Sequence, residues 1–156
     1  MTEPRTPAIE AAEALGLDHE VRVIERARSV EEAAERIGVP VDRLCKTLVV
    51  RRAEGEYLLV LVPGSRQLDW PKLRAHLGVS RLSLPDADEA RDATGYERGT
   101  ITPLGTSSPL PVVVDTEAAA ADLIAIGGGA HGVSLLVAPA DLVAAVDAQV
   151  VDVTKA

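Results

Sequence analysis

The chain has 156 residues, which suits one domain able to bury a hydrophobic core, and its formal net charge of −8 arises wholly from residues 82–156. Because Lys and Arg contacts to phosphates supply most nonspecific nucleic-acid affinity, this charge disfavours tight nonspecific binding to DNA or RNA and leaves only transient contacts open. No segment approaches the roughly 20 apolar residues of a membrane span, and the N-terminus lacks a signal-peptide core, so we expect a cytoplasmic protein with no membrane or DNA partner.

The first half of the chain predicts helices that alternate with strands. Thr6-Pro7 is a typical helix start and Gly16 a typical helix end, while Ser29-Val30-Glu31-Glu32 is a capping box for a second helix. The turn at 53–56 predicts a hairpin that makes two apolar strands antiparallel neighbours. The predicted elements are a helix at 7–15, a strand at 19–24, a helix at 30–37, a helical turn at 40–44, and strands at 45–52 and 57–62.

The second half predicts short strands, more helices and one long loop. Asp69 and Gly78 bound a helix, and a loop rich in Gly, Pro, Thr and Ser runs from Gly95 to Pro111. A loop of this length in a compact domain is more often functional or packed than idle. The predicted elements are helices at 70–77, 85–93 and 139–148, and strands at 112–114, 123–126, 133–137 and 150–153.

These elements predict a single α/β domain over residues 1–156. The chain contains no Phe, one Trp and two Tyr, so its core must come from Val, Leu, Ile and Ala, as suits strands rich in β-branched residues. About seven strands with several antiparallel neighbours predict a mixed, mostly antiparallel, barrel-like sheet surrounded by helices.

Lys46 lies inside a run at 44–50 that otherwise reads as a buried strand. Alternation along a strand puts Lys46, Leu48 and Val50 on one face, so the ammonium shares its side with branched aliphatic residues. Desolvation would strengthen its attraction for a carbonyl or a developing oxyanion, which makes Lys46 a candidate catalytic residue. The alternative is a structural lysine whose stem covers apolar surface while its ammonium reaches water, and position alone favours this alternative.

The glycine-rich run at 127–132 matches the dinucleotide-binding fingerprint, but a strand follows it where the fingerprint requires a helix. We therefore interpret these glycines as a tight turn close to another strand or to a ligand. His19, His76 and His131 lack metal-ligand spacing, and Cys45 suits a small core residue better than a nucleophile. We expect no metal and no cofactor.

Three features in chain order carry a family resemblance. They are Lys46-Thr47 in an apolar strand, the segment Gly95-Tyr96-Glu97-Arg98-Gly99-Thr100-Ile101-Thr102-Pro103-Leu104-Gly105, and the turn from Gly127 to Gly132. Together they resemble the YbaK/prolyl-tRNA-synthetase-associated domain family of aminoacyl-tRNA deacylases, most closely its free-standing YbaK (Cys-tRNA(Pro) deacylase) branch. The resemblance covers nearly the whole chain and implies a small α/β editing domain that releases a wrong amino acid from tRNA.

The resemblance also implies a set of site residues and partners. The essential lysine of the family falls on Lys46, which would position the ester or terminal phosphate and counter the oxyanion. The resemblance to the YbaK branch implies that the thiol of the substrate cysteine attacks the ester. The implied partners are the acceptor end of an aminoacyl-tRNA and prolyl-tRNA synthetase. The implied substrate-binding residues are Thr47, Gly99, Thr100, Ile101, Thr102, Gly127, Gly128 and Gly129, with no metal.

Two positions depart from close YbaK relatives: Ile24 stands where they carry tyrosine, and Gly127 where they carry serine. A pocket with fewer hydroxyls would suit a small amino acid other than cysteine, such as alanine, serine or threonine. Selectivity among small side chains is worth only about 1–3 kcal/mol, so these two residues do not fix the substrate. Two other functions stay open on the sequence. One is a non-catalytic module that holds the tRNA acceptor end or docks on a synthetase; the other is a nucleotide-binding enzyme, for which we expect no stabilisation by nucleotide.

Overall fold

Residues 4–156 are described by the structure, a computed structural model. Six helices and nine strands follow one another along this part of the chain. The helices are α1 (Pro7–Ala14), α2 (Val30–Ile37), α3 (Trp70–Leu77), α4 (Ala87–Thr94), α5 (Thr116–Ala119) and α6 (Pro139–Val146), with a 3₁₀ turn at Val41–Arg43. The strands are β1 (Glu20–Val23), β2 (Cys45–Ala53), β3 (Glu56–Pro63), β4 (Gln67–Leu68), β5 (Val112–Asp115), β6 (Ile124–Gly127), β7 (Val133–Val137), β8 (Gln149–Val151) and β9 (Thr154–Lys155).

The strands form three sheets. The largest has the order β2-β3-β5-β8, in which β2 and β3 are antiparallel and the other two pairs are parallel. The second, β1-β7-β6, is antiparallel throughout, as is the pair β4-β9. A parallel bridge between Leu44 and Ala125 links the first two sheets where β2 begins. The mixed α/β class and the antiparallel hairpin are confirmed. The prediction of about seven strands in one barrel-like sheet is not confirmed, because the nine described strands divide among three sheets.

Side-chain caps begin the helices where the sequence predicts them. Thr6 Oγ1 accepts the backbone N–H of Ile9 at 3.1 Å, and Asp69 Oδ1 accepts that of Lys72 at 3.2 Å. Ser29 Oγ caps α2 by accepting from the N–H of Glu32 at 3.1 Å. The last helix ends two residues earlier than predicted, because Asp147 adopts a left-handed conformation with φ of 53°.

The side chains of β2 alternate between two parts of an aliphatic core. Cys45 and Val49 pack in a cluster that includes Ile9 of α1. On the other face, Val50 packs in a second cluster with Leu73 of α3. Lys46, at the start of the strand, belongs to the second face but lies where the strand leaves the core.

Candidate functional site

A cleft of about 1060 Å³ opens beside the start of β2. Its walls come from the segment after β1, the inner face of α2, the start of β2, the segment that leads into α4, the loop from residue 95 to 111, and the turn between β6 and β7. Five of the predicted site residues line this cleft: Lys46, Thr47, Gly99, Ile101 and Gly127. Residues from three separate parts of the sequence therefore meet at one surface.

The close packing around Gly64 fixes where β2 begins. A β-carbon at this position would lie 2.7 Å from the carbonyl oxygen of Val41 and 2.8 Å from that of Leu44. Only glycine leaves room for the 3₁₀ turn to pack against the end of β3. The next residues, Cys45 and Lys46, enter the strand opposite Pro63 and Val62. The 3₁₀ turn thus places Lys46, the second residue of β2, at the cleft.

The side chain of Lys46 is exposed, so of the two alternatives for this residue the desolvated ammonium is wrong. The geometry matches the alternative, in which the head group reaches water beside apolar residues of the same face, Leu48 and Val50. Among residues 4–156 no side chain or backbone group forms a hydrogen bond or ion pair with this ammonium. It is therefore available to an anionic or carbonyl group of a ligand.

Thr47 and Cys45 lie on the opposite face of β2 and differ in chemistry. The hydroxyl of Thr47 is buried and has no hydrogen-bond partner within the described part of the chain, although the residue lines the cleft. An orphaned hydroxyl costs stability unless a ligand satisfies it. Burial, and then the negative charge of Asp115, raises the pKa of the Cys45 thiol to about 12. Cys45 thus stays protonated and inert, as its prediction as a core residue requires.

The loop from residue 95 to 111 is packed rather than idle. The hydroxyl of Tyr96 donates to the carbonyl oxygen of Leu104 at 2.6 Å, and Thr100 Oγ1 donates to that of Glu97 at 2.7 Å. Thr100 and Thr102 are 3 % and 0 % exposed. Both lie outside the cleft lining. The resemblance assigns four loop residues to substrate binding. Gly99 and Ile101 line the cleft, whereas Thr100 and Thr102 are buried and support the loop from within.

The turn between β6 and β7 confirms the tight-turn interpretation of the glycines. The N–H of Gly128 donates to the carbonyl oxygen of Val133 at 2.9 Å, and its own carbonyl oxygen accepts from Thr6 Oγ1 at 2.6 Å. Gly129 adopts a φ of 88°, and a β-carbon there would lie 3.0 Å from Tyr96 Cε1. These two glycines pack against the chain itself and do not line the cleft, whereas Gly127 does.

Sequence reasoning assigned no site role to three basic side chains of the cleft: Arg26, Arg98 and His131. Nε2 of His131 lies 3.4 Å from the Glu97 carboxylate, so this exposed pair spans the glycine turn and the 95–111 loop. Arg98 stands inside the recognised loop motif, which is the one sequence signal that pointed to it. Arg26 follows β1 in a segment without a motif, and no sequence pattern marks it.

Residues 4–156 hold no group of three or more His, Cys, Asp or Glu side chains that would suit a metal ion. In the same part of the chain, none of the helices has the length and apolar character needed to span a bilayer.

Comparisons with known proteins match this sequence and this fold. A sequence profile of the aminoacyl-tRNA editing domain matches residues 24–145. EbsC of Enterococcus faecalis, a candidate Cys-tRNA(Pro)/Cys-tRNA(Cys) deacylase, is 27% identical over 126 residues, which are 81% of this chain and 77% of EbsC. The proline–tRNA ligase of Thermosipho africanus is 37% identical over 78 residues, which are 50% of this chain but only 14% of the ligase.

A solved structure is also similar. The crystal structure of a candidate trans-editing enzyme for prolyl-tRNA synthetase superposes with a TM-score of 0.87 at 28% identity, over 99% of this chain and all of the other. The fold and the profile match together define an editing-type domain. Because the profile covers well over half of its residues, the chain belongs to the aminoacyl-tRNA editing domain family. The resemblance found in the sequence is confirmed.

Proposed function

We propose that this protein is a trans-acting deacylase that clears mischarged tRNA, with Cys-tRNA(Pro) or another small amino acid on tRNA as its substrate. The observation that carries the proposal is the meeting of Lys46, Thr47, Gly99, Ile101 and Gly127 in one cleft. The names of relatives, which point to proline–tRNA ligases and to a Cys-tRNA(Pro) deacylase, support tRNA(Pro) as the first tRNA to test.

The cleft suits an ester substrate by size. Its volume of about 1060 Å³ is at the upper end of ordinary small-molecule sites. That space accepts a terminal adenosine together with a small aminoacyl group, while the rest of the tRNA stays outside. Apolar lining from Val30, Ala33 and Ile37 of α2 provides a surface for the ribose and for a small side chain.

Lys46 serves in this proposal as a cation that positions the ester and stabilises charge on its carbonyl oxygen. Its ammonium has no partner among the described residues, so binding the ester breaks no existing ion pair. The Thr47 hydroxyl gains a hydrogen bond to a polar group of the aminoacyl moiety. Gly99 lets the substrate approach the backbone without obstruction by a β-carbon, whereas the absence of a side chain at Gly127 lets the backbone of Ile101 form the neighbouring wall.

Within residues 4–156, the one thiol of the cleft stays protonated, so Cys45 is not the nucleophile. We assign the attack to a water molecule or, for cysteine, to the substrate's own thiol. In either case the new bond forms at the carbonyl carbon, the ester C–O bond breaks, and the proton of the attacking group passes to the leaving ribose hydroxyl. The ester needs correct placement and charge stabilisation, which are the two contributions assigned to Lys46.

A panel of mischarged tRNAs tests the proposal with purified protein. We expect turnover of Cys-tRNA(Pro) or of a tRNA bearing alanine, serine or threonine, and no turnover of correctly charged Pro-tRNA(Pro). Binding without turnover on every member would contradict the deacylase and favour the non-catalytic module. An increase of the melting temperature with NAD would favour the nucleotide-binding enzyme, and we expect none.

A further inference from the structure

Two arginines reach the cleft from separate loops. Arg26 lies in the segment between β1 and α2, and Arg98 lies in the 95–111 loop next to Gly99. Both side chains are exposed. Within residues 4–156, neither guanidinium forms an ion pair or a hydrogen bond. A protein with a formal charge of −8 thus keeps two unpaired guanidinium groups in the same cleft as the Lys46 ammonium.

A third arginine holds the backbone that carries Arg26. Nη1 of Arg36, in α2, donates to the carbonyl oxygens of Glu25 at 3.1 Å and Arg26 at 3.2 Å. Nη2 of Arg36 forms an ion pair with Glu32 Oε1 at 2.5 Å. The other oxygen of Glu32 accepts the N–H of Arg28 at 3.1 Å. These contacts fix the segment from Glu25 to Arg28 on α2, so the position of Arg26 relative to the cleft is set by side chains outside it.

We propose that Arg26 and Arg98 bind backbone phosphates of the single-stranded 3′ end as it leaves the cleft, and that Arg36 is the positioning residue for Arg26. This inference rests on the proposed function, because it needs the terminal adenosine to occupy the cleft. Guanidinium groups match phosphate oxygens in a bidentate fork geometry and stay charged at any physiological pH.

We place the contacts of the two exposed arginines upstream of the ester. Lys46 and Thr47 are already assigned to the ester itself, which leaves Arg26 and Arg98 for the part of the 3′ end that precedes it. Glu25 and Asp86 also line the cleft and repel phosphate, which confines the favourable phosphate positions to the neighbourhood of the two arginines. Arg26 and Arg98 thus give an acidic protein a local surface that binds RNA.

The first experiment measures binding of an uncharged acceptor-stem minihelix that ends in CCA, at several salt concentrations. We expect Arg26→Ala and Arg98→Ala each to weaken binding about five- to tenfold and to reduce the slope of log Kd against log salt by about 0.7. Arg28→Ala is the matched control: Arg28 is an exposed arginine of the same segment and does not line the cleft. Equal salt slopes for Arg26→Ala, Arg98→Ala and Arg28→Ala would overturn the proposal.

The second experiment separates phosphate binding from ester binding. It compares kcat/KM for Cys-tRNA(Pro) with that for the cysteinyl ester of adenosine, which lacks the upstream phosphates. In Arg26→Ala and Arg98→Ala we expect kcat/KM to fall at least fivefold more for the tRNA than for the adenosine ester. The decrease on the tRNA should come from a higher KM and not from a lower kcat. Equal losses on both substrates would place the arginines at the ester and refute their phosphate role.

A double-mutant cycle tests the positioning role of Arg36. Arg36→Met alone should raise KM for tRNA, but it should add less than twofold in the Arg26→Ala background, because its effect passes through Arg26. If Arg36→Met raised KM by the same factor with and without Arg26→Ala, the positioning role of Arg36 would be contradicted. The wild-type protein could deacylate no substrate while Arg26→Ala and Arg98→Ala still reduce the salt slope for the minihelix as predicted. In that case the proposed function fails, whereas phosphate binding by Arg26 and Arg98 stands.

Discussion

The carbonyl oxygen of Ile101 lies 2.6 Å from the point that a β-carbon on Gly127 would occupy. The backbone of the 95–111 loop and the end of β6 therefore meet at a distance that leaves no room for any side chain at position 127. Both residues line the cleft beside Lys46. The width of the cleft at this wall depends on this one glycine.

Gly127→Ala should displace the loop from its present position. Because a β-carbon at 2.6 Å from a carbonyl oxygen is not tolerated, the loop must shift, and we expect KM for the aminoacyl-tRNA to rise about tenfold, with a loss of about 1–3 kcal/mol in stability. Gly16→Ala is the control, since Gly16 has open space and a φ of 67°. That variant should lose about 1 kcal/mol through backbone strain and keep its KM. An unchanged KM in Gly127→Ala would contradict the role of this contact.

Thr47→Val should separate stability from substrate binding. The buried hydroxyl of Thr47 has no partner among the described residues, so its removal should leave the free energy of unfolding equal or raise it by about 1 kcal/mol. The kcat/KM for deacylation should fall about fivefold or more, because the hydroxyl bonds the bound aminoacyl group. Thr100→Val removes a 2.7 Å hydrogen bond to the Glu97 carbonyl oxygen and should instead lower the free energy of unfolding. Unchanged kcat/KM in Thr47→Val would remove Thr47 from the site.

Stability should fall as pH rises above about 9. Burial raises the pKa of Cys45 to about 12 from a reference of 9.0, so the unfolded chain releases this proton first and the folded state loses relative stability between these values. Burial raises the pKa of Tyr96 to about 12 from 10.0, which adds to the same trend at higher pH. Urea unfolding at pH 8 and pH 10.5 measures the loss. Cys45→Ala should show a smaller loss than the wild type, and an equal loss would contradict the burial effect.

The sequence predicted the fold well where local chemistry decides it. The caps at Thr6, Ser29 and Asp69 and the hairpin at 53–56 depend on residues close in sequence, and the structure has them all. The short strands β4 and β9 were missed. Gln67–Leu68 pairs with Thr154–Lys155, so this two-residue ladder depends on contacts between distant segments rather than on a local pattern.

The site was predictable as a motif but not as a surface. Alternation placed Lys46 on the correct face of β2, yet its exposure depends on where the strand leaves the core, which no residue pattern specifies. Gly127 to Gly129 were predicted to form a backbone wall, but of these three only Gly127 lines the cleft, because the Thr6 hydroxyl and the Tyr96 ring contact Gly128 and Gly129. Arg26 is brought to the cleft by tertiary contacts alone.

The rate of deacylation by Lys46→Ala tests the central claim most directly. Because the side chain is exposed and unpaired within the described residues, the substitution should change the free energy of unfolding by less than about 0.5 kcal/mol. On the mischarged tRNA that the wild type clears, we expect kcat/KM to fall at least about 100-fold. Lys155→Ala, at an exposed lysine outside the cleft, should retain full activity. A folded Lys46→Ala protein with the wild-type rate would contradict the account.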